Sequence, residues 1–125
     1  MPWAPDDALL GTPDGRVWES TRANLFLIVG RELITPGLEG PILPGIQRAL
    51  VIELAEMEGL IIRERNVYPA DVDRADEVFL TNSVRGIVPV GHTAGGPIRA
   101  PGTLTESLLQ AYARWIRDRK NRTPA

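Results

Sequence analysis

Apolar residues follow two different spacings along this chain, and the change from one to the other marks out strands and helices. From Asn24 to Val29 (Asn-Leu-Phe-Leu-Ile-Val) the apolar run is nearly continuous, as in a strand buried on both faces. After Gly30 the chain continues through Glu32-Leu33-Ile34-Thr35 to Pro36, a second strand expected to lie beside the first. Upstream, Ala8–Leu10 and Arg16–Trp18 flank Thr12-Pro13-Asp14-Gly15, and Asp-Gly between short extended segments predicts a β-hairpin. Residues 1–7 are Pro-rich and acidic, show no periodicity and read as a ragged lead-in.

The spacing then becomes helical. Ile46, Leu50, Val51, Leu54 and Ala55 share one face of a helix expected from about Gly45 to Gly59, a residue suited to a left-handed C-terminal cap. Arg48, Glu53, Glu56 and Glu58 fall mostly on the other, wet side. Leu60–Val67 predicts a strand, Asp71–Ala75 a short helical turn, and Glu77–Thr81 a further strand. Asn82–Gly86 reads as a loop and Ile87–Val90 as an edge strand, the place where Pro89 is tolerated. His92–Gly102 is rich in Gly and Pro and predicts a loop with one short extended piece around Ile98. The last helix is expected to open on a capping box, Thr103 with Glu106. It should bury Leu104, Leu108, Tyr112, Trp115 and Ile116, and place Arg117, Arg119 and Lys120 in a final turn where they suit its dipole.

Composition narrows the function. A length of 125 residues fits one domain with a real core. A net charge of -2 with mixed signs gives no basic stripe, so nucleic acid is not an expected partner. The absence of cysteine removes disulfides, thiolate nucleophiles and Cys-based zinc sites. No signal pattern opens the chain and no apolar run approaches the roughly 20 residues of a membrane span, so a soluble, cytoplasmic protein is expected. The lone His92 has no second ligand at metal spacing and reads as an ordinary loop residue, and no metal is expected. Ser20, Ser83 and Ser107 lack a G-x-S-x-G context, and Asp6-Asp7 and Asp71/Asp73 read as solvated turn or capping residues.

Two places keep a functional reading beside a plain one. Pro41–Leu50 (Pro-Ile-Leu-Pro-Gly-Ile-Gln-Arg-Ala-Leu) is a Pro-Gly turn opening into a helix, so free backbone N–H groups and a positive dipole end meet at Gly45–Gln47. Such an end holds an anion, most often phosphate, or simply starts a helix. Glu19, just before the most apolar strand, is either a surface residue or an inward carboxylate that needs a cation.

Four stretches taken together carry a resemblance. Glu19-Ser20-Thr21-Arg22-Ala23-Asn24-Leu25-Phe26, then Thr35-Pro36, then Ile42-Leu43-Pro44-Gly45-Ile46-Gln47-Arg48, then Ala75–Ser83 with Ile87-Val88-Pro89-Val90, occur in a telling order and spacing. The chain resembles the C-terminal half of the fold-type IV (class IV) pyridoxal-phosphate enzymes from about Asp7 to about Trp115. These include branched-chain and D-amino acid aminotransferases and aminodeoxychorismate lyases. The resemblance implies an α/β (mixed α+β) fold, the C-terminal domain of the D-amino acid aminotransferase-like architecture, with a mixed sheet or pseudo-barrel and flanking helices. That domain would span residues 8–120, with 121–125 a tail and the N-terminal domain absent.

It also implies the cofactor, pyridoxal 5′-phosphate. Glu19 matches the carboxylate that pairs with the pyridine nitrogen, and Ile46 and Gln47 match the residues whose backbone N–H groups hold the phosphate. Ser83 matches a small hydroxyl residue that also touches phosphate, the Ser83–Val84 backbone lies where phosphate or substrate carboxylate is received, and Arg85 could face an anionic substrate. Many relatives carry threonine at the position of Gln47, and many transaminases carry glutamate at that of Gly86. The run Asn82-Ser83-Val84-Arg85-Gly86 looks more like the lyase-type members.

The implied substrates are small amino or oxo acids, and the intact enzyme is expected to be a homodimer. The Schiff-base lysine of the family would precede Met1, and the one lysine present is Lys120. No catalytic residue is therefore expected within the chain, which reads as a truncation, a mis-set start or a degenerate copy unable to act alone. The function implied is that of an aminodeoxychorismate lyase, forming 4-aminobenzoate and pyruvate in folate synthesis. A branched-chain or D-amino acid aminotransferase and a non-catalytic remnant are the alternatives.

Overall fold

A computed structural model describes residues 9–11, 17–20, 24–37, 46–82, 86–93, 96–98 and 100–122. The apolar run becomes β3 (Asn24–Val29), preceded by β1 (Leu9–Gly11) and β2 (Val17–Ser20) and followed by β4 (Glu32–Thr35). Then come α1 (Ile46–Met57), β5 (Ile61–Glu64), α2 (Pro69–Arg74), β6 (Glu77–Asn82) and β7 (Gly86–Pro89). A small pair, β8 (His92–Thr93) and β9 (Gly96–Pro97), leads to α3 (Thr103–Arg122).

β3 is the centre of the sheet. β6 runs antiparallel along one edge, pairing Asn24 with Thr81 through to Ile28 with Glu77. The other edge is divided: β2 pairs at Asn24 through Glu19, and β4 pairs at Leu27–Val29. β1 extends the sheet beyond β2 and β5 lies parallel beyond β4, the strand direction that a helical crossover such as α1 permits. β7 closes the far side against β6. The expected mixed sheet with flanking helices is what the chain forms.

Alternate residues of β3 serve two cores, which is why its apolar run is unbroken. Phe26 and Ile28 join Leu33, Phe79 and Ile87 beneath α1 and α3, against Leu50, Val51, Leu54, Ala55, Leu108 and Ala111. Leu25 and Leu27 join Ile34, Val67, Val72 and Val78 on the opposite face, beneath α2. The rings of Phe26 and Phe79 stack with centroids 5.0 Å apart and planes within 7°.

Several boundaries differ from the sequence reading for identifiable reasons. The strand expected over Leu60–Val67 is only Ile61–Glu64, because β4, its one partner among the described residues, ends at Thr35. α2 begins at Pro69, whose fixed φ suits a first helical position, and the Asp71 carboxylate accepts the Tyr68 N–H at 2.8 Å. The segment expected as a loop after His92 folds into the β8–β9 pair, with the Ile98 N–H donating to the Gly91 carbonyl at 3.1 Å. Gly59 does take a left-handed φ of 86° after α1, and the Arg31 guanidinium donates to the Glu58 carbonyl at 3.2 Å. The turn of the first hairpin, residues 12–16, lies outside the described residues, although β1 and β2 pair as expected.

Two corrections concern helix ends. Arg48, assigned by helical spacing to the wet face, is only 4% exposed. The capping box of Thr103 and Glu106 is replaced by a remote carboxylate: Glu77 of β6 accepts the N–H groups of Leu104 at 3.2 Å and Thr105 at 2.7 Å. Glu106 instead receives the Gln110 amide at 3.4 Å.

Candidate functional site

One end of the sheet collects the positions singled out in the sequence. The register runs from Leu10 to Glu19, from Glu19 to Asn24, from Asn24 to Thr81, and from Thr81 to Ile87, a single row across five strands. Glu19 therefore stands two strands from Thr81 although 62 residues separate them in sequence, by subtraction of their numbers. Its side chain lies outside what is described.

The end of β4 reaches the same edge. The Thr35 hydroxyl, buried, donates to the Leu25 carbonyl at 2.7 Å and so fastens the end of β4 to the start of β3. From Pro36 the chain returns through residues 38–45, outside the described set, to the first turn of α1. That turn is joined to β4 again by Arg48, whose Nη2 donates to the Pro36 carbonyl at 3.0 Å and to Glu64 Oε1 at 2.7 Å. The start of α1 is thus held at the end of the sheet where Asn24 and Thr81 lie.

The chemistry there suits an anion. The first N–H groups of any α-helix lack intrahelical partners, and the first turn of α1 contains no acidic side chain to occupy them. Gln47 Oε1, Arg48 Nε and Thr81 Oγ1 are buried without a hydrogen-bond partner among the described residues. A polar ligand would meet that demand, the Thr81 hydroxyl by donating and the Gln47 amide through either of its ends, since amide orientation is an assignment. The residues present therefore fit a phosphate-bearing group. Of the predicted ligands, Gln47 is at this helix start, and Ile46 is there by its backbone with its side chain undescribed. Ser83, Val84 and Arg85 lie outside the described residues, as the connection between Asn82 and Gly86, themselves the last paired residues of β6 and β7.

Helical spacing could not have revealed Thr81 or Arg48 as polar groups of this end, and only the strand register and the crossover place them there. Gly86 is also more constrained than a loop glycine. It has φ 74°, and a Cβ added to it would lie 2.9 Å from Tyr112 Cε1 on α3. Gly86→Ala is expected to cost about 1–2 kcal/mol from the left-handed backbone alone. Urea unfolding measures that cost, and adding Tyr112→Ala should relieve only the further part due to the ring.

Residues 4–92 match the family described as amino-transferase class IV. The chain belongs to that family. It is 36% identical over 113 residues to the probable branched-chain-amino-acid aminotransferase of Thermotoga maritima, covering 89% of this chain and 41% of that protein. The crystal structure of 4-amino-4-deoxychorismate lyase from Pseudomonas aeruginosa superposes with a TM-score of 0.82 at 32% identity, covering 90% of this chain and 42% of the other. An aminotransferase from Brucella abortus, bound to the cofactor PLP, also gives 0.82 at 30% identity, over 87% of this chain and 39% of that one. The chain thus spans about two fifths of the length of these relatives. The family is pyridoxal-phosphate-dependent, and its fold is the one seen here. Among the described residues no helix is long and apolar enough to cross a membrane.

Proposed function

We propose that this chain is the cofactor-binding part of an aminodeoxychorismate lyase-like enzyme, which forms 4-aminobenzoate and pyruvate from aminodeoxychorismate. The observation that carries the cofactor assignment is the meeting, at one end of the sheet, of the acid-free start of α1 with the row containing Glu19 and Thr81. On this reading the backbone N–H groups of Ile46 and Gln47 take the phosphate of pyridoxal 5′-phosphate, with the Ser83 hydroxyl beside them. The Glu19 carboxylate faces the pyridine nitrogen and holds a proton there. When bound, the cofactor supplies an electron sink for negative charge developing on the substrate carbon. Val84 and Arg85 receive the substrate's anionic group and orient it. Small amino or oxo acids are the substrates, and the intact enzyme is a homodimer.

The lyase is preferred to a transaminase because of Gly86. Its left-handed φ disfavours a side chain, and a Cβ there would press on the Tyr112 ring, which suits glycine at the position where many transaminases carry glutamate. The aminotransferase reading is favoured by a different observation, the name of the Thermotoga maritima relative. Both readings need a lysine other than Lys120, which lies eight residues beyond Tyr112 on α3, about 12 Å further along the helix. The amine that fastens the cofactor therefore comes, in this proposal, from outside the 125 residues.

The discriminating assay uses this chain joined to an upstream lysine-bearing segment of the family. Pyruvate release from aminodeoxychorismate without an added amino acceptor is the expected result. Amino transfer from a branched-chain amino acid to a 2-oxo acid, with no pyruvate released, would replace the lyase by the transaminase. The 125-residue chain alone is expected to turn over neither substrate, and turnover together with a borohydride-fixed cofactor on Lys120 would refute that expectation.

A further inference from the structure

Arg48 is placed against the usual electrostatics of a helix. The start of a helix carries partial positive charge and favours acidic side chains, yet the first turn of α1 has none and instead buries a guanidinium. A buried cation at that end is destabilising unless negative charge lies close by. Glu64 on β5 supplies one carboxylate at 2.7 Å, but it is 48% exposed, so water screens part of its effect. The two bonds that the guanidinium makes to Pro36 and Glu64 both use Nη2, and Nε stays buried without a partner among the described residues. An apolar side chain would fill the same volume without these costs. The arrangement has a physical purpose if an anion completes the charge balance and if the start of α1 must be held at a fixed angle to receive it.

We propose that Arg48 and Glu64 are positioning residues for the phosphate end of the site. Glu64 of β5 and the Pro36 carbonyl just beyond β4 hold the guanidinium, and Arg48 in turn fixes the first turn of α1 so that its free N–H groups converge on the phosphate. The Arg48 charge then adds to the helix dipole at the moment a phosphate binds. Because Thr35 is itself fastened to Leu25, the clamp extends rigidly to the centre of the sheet. This inference rests on the cofactor reading above, and it assigns a role to Glu64, a residue of strand β5.

The test compares pyridoxine 5′-phosphate with pyridoxine, which lack the aldehyde and so form no amine adducts. Binding is measured by calorimetry to the 125-residue chain and to its lysine-bearing extension. The phosphorylated compound is expected to bind more tightly, and Glu64→Gln, a half-exposed and nearly isosteric change, is expected to reduce that preference about tenfold. The 31P resonance of the bound compound should move toward its free position in the same variant. A general loosening of the fold would weaken both compounds alike and leave their ratio unchanged. A ratio within twofold of the unsubstituted chain therefore overturns the positioning role while the cofactor reading stands. If the unsubstituted chain, with and without the extension, shows no preference for the phosphorylated compound, the cofactor reading falls and the inference with it.

Discussion

Phe79→Ala is expected to destabilise the protein by about 3–5 kcal/mol, the range for removing a large aromatic side chain from a packed core. Phe79 and Phe26 are both fully buried and their rings stack at 5.0 Å between the central strands β6 and β3. They lie on the face covered by α1 and α3, so the ring is surrounded by side chains from the sheet and from both helices. The void left by alanine cannot close without moving one of those helices, which keeps the cavity part of the cost. For a chain of this length the melting temperature should fall by on the order of 10–20 °C. A double-mutant cycle with Phe26→Ala should leave a coupling of about 0.5–1.5 kcal/mol for the ring pair. An additive pair of losses would show that the stacking contributes nothing beyond burial.

Glu77→Ala is expected to have the second largest effect, a loss of about 2–3 kcal/mol. The Glu77 carboxylate is buried and accepts two N–H groups from the first turn of α3, 27 and 28 residues away in sequence. Removing it leaves the buried Thr105 N–H and the half-buried Leu104 N–H without this acceptor and takes a carboxylate from the positive end of a 20-residue helix. Glu77→Gln keeps one oxygen acceptor and should cost about 1 kcal/mol. Hydrogen exchange is the informative measurement: the amides of Leu104 and Thr105 should exchange faster in the alanine variant well before global unfolding. Equal exchange in the two proteins would mean that water or another side chain takes over the cap. Gly102 belongs to the same device, because a Cβ at that position would run into the Glu77 side chain.

These two residues show what could be read in the sequence. Phe79 and Phe26 were legible as strand core, because unbroken apolar runs between turn residues mark a strand covered on both faces. Glu77 was legible as the start of a strand and nothing more. The helix it caps carries a sequence pattern for its own box in Thr103 and Glu106, but the buried Glu77 carboxylate takes the first-turn N–H groups instead. Arg48 is a similar case. A 3.6-residue spacing assigns a polar residue outward, but it contains no information about Pro36, just beyond β4, and Glu64 of β5, which reach that side of the helix.

The candidate site divides along the same line. Glu19, Ile46, Gln47 and Ser83 came from a resemblance in the order of short motifs, while Thr81 and the constraint on Gly86 came from the strand register and the packing of α3. The strand and helix periods, the left-handed glycine after α1, the family, and a helix start able to receive an anion are all legible in the order of residues. Those are properties of residues near one another in the chain, where side-chain spacing and backbone preference act directly. Three features emerge from the folded chain alone: this helix start stands at the Glu19–Thr81 end of the sheet, its arginine is buried, and β6 caps α3. Each of those depends on groups many residues apart, which meet only because burying both faces of β3 forces α1 and α3 onto the same side of the sheet.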